Sequence, residues 1–267
     1  QTSVLFYDSI SYFLAFVNSI NEIYHNRRKK ISVYPSGKDS EMSKIKIMSF
    51  NMRTQASGDG ENQFLNRREF IAERLKELKP DVIGCQEMQP IMYDWLNETL
   101  NEYCVVGAGR GEALDNEAVC VAYRRDKFYL CSTDTFWLSP EPYKPGSRYT
   151  GDQSSCPRIC TMVTLKPRDG APFRLYNIHT DHVGKYARVL EVNQLLARIA
   201  EDDKKLRIPV FVTGDFNDTP DSLCIKTMLE YDGGRFIDLS SDSGQTFHAY
   251  GKYITEEGKI DYIFAEN

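Results

Sequence analysis

The chain offers little of what several protein classes require. It has four histidines, His25, His179, His182 and His248, and only two of them are close in sequence. A zinc centre draws three or four ligands from His and Cys, so "HTDH" alone is a weak zinc signal. The seven cysteines (85, 104, 120, 131, 156, 160, 224) are scattered and odd in number, which argues against a disulfide framework. Several lie in apolar runs, such as Cys120 in "AVCVAY", where a thiol behaves as a small hydrophobe. They read as free thiols in a reducing compartment, hence a cytoplasmic protein. Cys156 and Cys160 have no second pair to complete a zinc knuckle. Net charge is only −5, so no global positive field advertises a polyanionic partner, although a local basic patch would suffice for one. Repeats and low-complexity tracts are absent. A membrane span needs about 20 mostly apolar residues, and Asp8 interrupts the apolar stretch near the start; no transmembrane span is expected.

What is present is an ordinary globular composition, 41% hydrophobic and 27% charged in 267 residues. Residues 1–43 differ from the rest. Phe6, Ile10, Phe13, Leu14, Val17, Ile20 and Tyr24 form a stripe at helical spacing, followed by "NRRKK" and a linker. The pattern predicts an amphipathic helix over 5–24, an appendage capable of weak membrane-surface contact. Its positive charge follows the apolar part, unlike a signal peptide. The globular domain is placed at 44–267. Strands are expected at 45–50, 81–86, 103–107, 118–123, 159–165, 173–179, 209–214 and 260–264, from their Val, Ile, Tyr and Phe content and their Gly, Pro and Asp borders. Helices are expected at 64–78 and 185–204, with shorter ones at 90–101 and 220–230, the last capped by Asp218 or Thr219 ahead of Pro220. The alternation predicts an α/β fold with mixed sheets.

Polar residues recur where these strands end. "IMSFN" ends in Asn51, "IGCQE" in Glu87, "LYNIHTDH" in His179, Asp181 and His182, and "VTGDFN" in Asp215 and Asn217, while "KIDYIF" begins with Asp261. Asp215 and Asn217 are two apart, so in extended chain they face the same side. Each residue has an ordinary alternative: Asn51 and Asp215 as turn formers, Glu87 as a helix-dipole partner, His179 as a satisfied core histidine. Independent turns, however, need not place acids and amides after strand upon strand. Oxygen donors outnumber nitrogen and sulfur donors, which favours Mg²⁺, a cation that takes one or two carboxylates, keeps waters and completes its shell with phosphate.

"IKIMSFNMR", "PDVIGCQE", "FWLSPEP", "CPRICTMVTL", "LYNIHTDH", "VTGDFNDTPDS" and "GKIDYIF", in this order, resemble the endonuclease/exonuclease/phosphatase superfamily over nearly the whole domain. The resemblance implies a four-layer α/β/β/α sandwich of two packed mixed sheets with outer helices. It implies an Mg²⁺-dependent phosphoesterase, with Mn²⁺ as a substitute, that cleaves a phosphodiester or phosphomonoester by in-line attack of activated water. Glu87 and Asn51 would serve the metal and Asp215 would activate the water. Asn217 and His179 would hold phosphate oxygens, and Arg158 would add a charged contact. Arg110 and Glu117 lie in a similar loop. The substrate would be a nucleic acid, a nucleotide, or a small or lipid phosphate. Family members continue past the strand of Asp261 into a Ser-Asp-His motif and a closing strand, and that His pairs with the aspartate matching Asp261. Its absence from this sequence implies impaired activity and an open sheet edge, or, as the alternative, a degenerate non-catalytic binding module of the same fold.

Overall fold

Alternate residues of the strands carry two separate apolar sets, and the chain hides both by stacking two sheets and laying helices on the outer faces. The computed structural model describes residues 45–247, 249–250 and 258–267; the 1–43 appendage, its helix at 5–24, His25 and His248 lie outside them. The elements are β1 (Ile47–Asn51), α1 (Phe64–Leu78), β2 (Val82–Met88), α2 (Pro90–Thr99), β3 (Tyr103–Val106), β4 (Ala118–Arg124), β5 (Phe128–Trp137), β6 (Ile159–Pro167), β7 (Phe173–His179), α3 (Lys185–Lys205), β8 (Val210–Asp215), α4 (Leu223–Glu230), β9 (Phe236–Asp238) and β10 (Asp261–Glu266). One sheet has four strands in the order β1-β2-β4-β3, the other six in the order β5-β6-β7-β8-β10-β9. The pairs β1/β2 and β7/β8 are parallel and the remainder antiparallel, so both sheets are mixed, as expected.

The four layers follow from the pleat, whose side-chain period is two. Met48, Ile83, Cys85, Cys120 and Ala122 face outward from the smaller sheet and meet Phe64, Ile71 and Leu75 of α1 with Met92, Trp95 and Leu96 of α2. Tyr176, Ile178, Val212, Tyr262 and Phe264 face outward from the larger sheet and meet α3 and α4. Between the sheets lie Ile47, Val82, Val121, Leu175, Phe211 and Ile263. At roughly 25 cal/mol per Å² of apolar surface removed from water, such layers dominate the stability of the fold.

The helices expected at 64–78, 90–101, 185–204 and 220–230 form, with differences from the sequence reading in helix bounds and in the strands. Helix α2 stops at Thr99. Helix α4 starts at Leu223 behind Ser222, whose hydroxyl accepts from Ile225 N at 3.3 Å, not at Pro220 behind Asp218 or Thr219. There Thr219 O accepts from Ser222 N in a turn, and the Asp218 carboxylate is held by Arg188 at 2.8 Å. Strands β5 and β9 were not expected. The sequence "FYLCSTDTFW" alternates too weakly to read as a strand, because only its ends are buried.

The space between the sheets grades from apolar to polar along the strands. Midway sits Asn177, fully buried. Its amide donates to Cys85 O at 2.9 Å and Cys120 O at 2.8 Å, across in the other sheet. Its carbonyl oxygen accepts from Gln86 Nε2 at 2.7 Å and Thr213 Oγ1 at 3.1 Å. One carboxamide thus pins β7 to β8, β2 and β4, with every hydrogen-bonding site used. Gly84 makes room for it: a Cβ there would stand 2.6 Å from Asn177 Oδ1 and closer still to Thr213 Oγ1.

Candidate active site

One step beyond this pin, the inward-facing positions carry Asn51, His179, Asp215 and Asp261. The register puts them level: His179 lies opposite Asp215 on β7/β8, and Asp261 opposite Asp215 on β10/β8. Because β10 runs antiparallel to β8, its first residue meets the last residue of β8, so a residue at a strand start joins residues at strand ends. Glu87 would face away if β2 were regular. The register shifts between Cys85 and Met88, and Glu87 takes a φ of 58°; a bulge of this kind re-aims a side chain.

The groups touch. Asn51 Nδ2 donates to Glu87 Oε1 at 3.0 Å and to Asp215 Oδ2 at 2.9 Å, bridging a carboxylate from each sheet. Glu87 Oε2 accepts from Thr54 N at 3.0 Å, with Arg53 Nη1 at 3.7 Å. Asp215 Oδ1 accepts from Asn217 N at 2.9 Å. Asn217, at a φ of 48°, donates from Nδ2 to Thr180 O at 3.0 Å, leaving its second amide hydrogen and its carbonyl oxygen. A left-handed φ costs a non-glycine residue of order 1 kcal/mol, and such residues cluster at functional sites. His179 Nε2 is 3.9 Å from Asp215 Oδ2. Burial, together with Arg158, Arg110 and His182, pushes the His179 pKa well below its usual value, so the imidazole is neutral and this approach is no ion pair.

A flank of the site is cationic. Arg158, on the turn into β6, and Arg110 border a recess that also touches Glu87, Glu117 and His179. Arg110 Nη2 is 3.0 Å from Glu117 Oε2, and Arg158 Nη2 is 2.7 Å from His182 Nδ1. All nine residues expected at the site, Asn51, Glu87, Arg110, Glu117, Arg158, His179, Asp215, Asn217 and Asp261, therefore stand in one connected region. The sequence reading had no role for Asn177, and for His182 only the weak "HTDH" pattern. An amide at an inward position of an otherwise apolar strand is the signal that would have found Asn177.

Buried carboxylates crowd the centre. Burial lifts the Asp215 pKa to about 6, against hydrogen bonds from Asn51 and Asn217 that lower it. Burial and the neighbouring Asp215 lift Asp261 well above the carboxylate range, and Asp261 Oδ1 has no hydrogen-bond partner. Like charges forced together out of water invite a compensating cation. No group of three His, Cys, Asp or Glu side chains among the described residues is close enough to hold a metal by itself. An oxygen donor set of that kind fits Mg²⁺, which keeps several waters, better than a metal needing an all-protein cage. No helix among the described residues is long and apolar enough to cross a membrane, and all seven cysteines are free thiols.

The sequence model of the Endonuclease/Exonuclease/phosphatase family matches residues 48–267. The chain belongs to that family, a superfamily of phosphoesterases, and the stacked mixed sheets are its fold. Among solved structures it is similar to a mannosyl-6-phosphatase of Bacteroides thetaiotaomicron, at 27% identity and a TM-score of 0.77, covering 84% of this chain and 85% of that one. It is also similar to an endonuclease/exonuclease/phosphatase of Bacteroides vulgatus, at 28% identity and a TM-score of 0.71, covering 82% and 85%. The human Nocturnin catalytic domain shares the fold, at 18% identity and a TM-score of 0.65, covering 84% and 82%. No curated protein sequence matches the chain.

Proposed function

We propose that this chain is an Mg²⁺-dependent phosphoesterase that uses Asp215 to direct water at a phosphorus atom, in line with the departing ester oxygen. The observation that carries the reading is the Asn51 amide, which ties Glu87 to Asp215 within hydrogen-bonding distance from strands of two different sheets. Glu87, oriented by Asn51, would hold Mg²⁺ (or Mn²⁺). When bound, the cation supplies the positive charge that relieves the negative charge of the phosphoryl oxygens and of the leaving oxygen. Asp215 takes the proton of the attacking water; a pKa lifted to about 6 brings the carboxylate nearer to a general base suited to neutral pH. Burial and the Glu87 carboxylate oppose the ionisation of Asp215, and Asp215 in turn holds up the pKa of the facing Asp261, which sharpens the need for the cation. The neutral His179 and the free hydrogen of Asn217 donate to phosphate oxygens, preorganised by the strands that carry them. Arg158 adds a charge-assisted contact.

The substrate is a phosphate ester, and the similarity to a mannosyl-6-phosphatase supports a small one over a long nucleic acid. The free thiols support a reducing, cytoplasmic setting. A degenerate binding module would have no need of a buried general base beside a metal-binding carboxylate. The test is hydrolysis of a phosphate-ester panel with Mg²⁺ and with chelator. Activity is expected only with the cation, and Asp215→Asn should lower it by roughly 10²–10⁴-fold while leaving the circular dichroism spectrum and melting temperature of a folded protein. Chelator-resistant activity, or a fully active Asp215→Asn, refutes the assignment.

A further inference from the structure

Arg158 is a buried cation whose charge is poorly matched. It is 3% exposed, yet its Nε and Nη1 have no hydrogen-bond partner. The nearest carboxylate, Asp181, stands 3.6 Å from Nε, beyond good hydrogen-bonding distance. Asp181 spends its oxygens elsewhere, on the amides of Ser154, Val183 and Gly184 and the hydroxyl of Ser154. Across the recess, Arg110 is matched by Glu117 at 3.0 Å. Buried donors without partners are rare, and each calls for an explanation. Here the explanation lies beside them: Arg158 borders a narrow recess of about 10 Å³, room for one water-sized atom such as a single phosphate oxygen, that Glu87 and His179 also line.

His182 belongs to the same arrangement. A guanidinium can only donate, so the 2.7 Å contact from Arg158 Nη2 makes His182 Nδ1 an acceptor. The proton must then sit on Nε2, and this half-open imidazole offers one N–H donor. Burial and Arg158 push its pKa down, in keeping with the neutral form.

We propose that Arg158 and His182, with Arg110 behind them, form a dianion pocket that selects phosphate monoesters over diesters. This rests on the phosphoesterase reading above and narrows it to one substrate class. A monoester carries close to two negative charges at neutral pH and three terminal oxygens; a diester carries one charge and two such oxygens. The third oxygen of a monoester held between Glu87 and His179 meets the unpartnered guanidinium donors. In a diester that position is an alkoxy or aryloxy oxygen, which brings its substituent against Ala118, Val119, Pro157 and Ile159, the walls of the recess. The pocket then gives a charge no partner and a bulky group no room.

The experiment measures kcat/KM of the full chain with Mg²⁺ on 4-nitrophenyl phosphate and bis(4-nitrophenyl) phosphate. The same protein is titrated calorimetrically with inorganic phosphate and dimethyl phosphate, which report on the pocket without turnover. Wild type should prefer the monoester and bind phosphate more tightly than dimethyl phosphate. Arg158→Met should lower the monoester-to-diester ratio at least about 10-fold, the worth of one charge-assisted hydrogen bond, with Arg158→Lys falling between. His182→Ala, at an exposed position, keeps the test usable if Arg158→Met fails to fold, and should lower the ratio and the phosphate affinity several-fold. Equal or better turnover of the diester, or variants that lower both rates without changing the ratio, would overturn the pocket. If neither ester is cleaved, the phosphoesterase reading has failed by itself; equal binding of phosphate and dimethyl phosphate would then dispose of the pocket as well.

Discussion

Replacing Asn177 by alanine should unsettle the protein more than any single apolar contact between the sheets. Asn177 makes four hydrogen bonds, to Cys85 O, Cys120 O, Gln86 Nε2 and Thr213 Oγ1, at 2.7 to 3.1 Å. At about 1 kcal/mol net for each, the loss is about 4 kcal/mol before counting the partners left buried and unpaired. That is a large share of a domain stability of roughly 5–15 kcal/mol. With a urea dependence of about 3 kcal/mol per molar, the unfolding midpoint should fall by a little over 1 M. A double-mutant cycle with Thr213→Val isolates the bond between those two side chains and should return a coupling of about 1 kcal/mol. Hydrolysis should fall too, because His179 and Asp215 lie two residues beyond Asn177 and Thr213 on the same face. A midpoint shift worth less than about 1 kcal/mol would mean that the strands hold their spacing without this side chain, and the account of how the site is positioned would be wrong.

Stability should depend on pH through the site itself. Asp215 has a raised pKa in the folded protein, so between the ordinary carboxylate range near 4 and about 6 the native state binds more protons than the unfolded chain. Stability without divalent cation should therefore fall as pH rises through that window, the reverse of a salt-bridged aspartate; thermal melts in chelator check it, and Asp215→Asn should make the slope shallower, leaving the part that the buried Asp261 and Glu191 contribute in the same direction. Added Mg²⁺ should raise the melting temperature more at pH 8 than at pH 5, since only the ionised site rewards the cation; an equal rise at both would contradict the crowding of Asp215 and Asp261. Asp218→Ala strands the buried Arg188, now paired at 2.8 Å, and should cost about 3–5 kcal/mol, against near-neutrality for an exposed pair such as Lys144 with Glu141.

The residues that meet at the centre were legible because strand geometry is a short-range code. Positions two apart share a face, and Asn51, Asp215 and His179 close runs apolar enough to be read as buried strands. Asp261 was legible for the same reason, although only the antiparallel pairing explains why a strand's first residue joins others' last. Glu87 was expected at the site from its motif and lies beside Asn51, but the bulge that turns it inward depends on β4 and cannot be read from β2 alone. Strand β5 escaped because it is largely exposed and its polar middle residues follow no two-residue alternation. The start of α4 was misjudged because Pro220 looks like a first helical residue, while the partner of Asp218 lies on α3, 30 positions earlier. The close pairing of Arg110 with Glu117 and the looser one of Arg158 with Asp181 are likewise tertiary facts, invisible until the residues before β6 come to rest beside Glu87.

The extra residue in β2 also sets a tension between durability and use. Glu87 pays for its orientation with a backbone conformation that glycine adopts freely. Glu87→Gly would relax the chain while deleting the carboxylate, so selection for hardiness alone would drift toward an inert protein. Deleting Gln86 would go further: the pleat would run on unbroken, and Glu87 would drop into the slot of Gln86, setting its carboxylate against the Asn177 carbonyl oxygen that Gln86 Nε2 now satisfies.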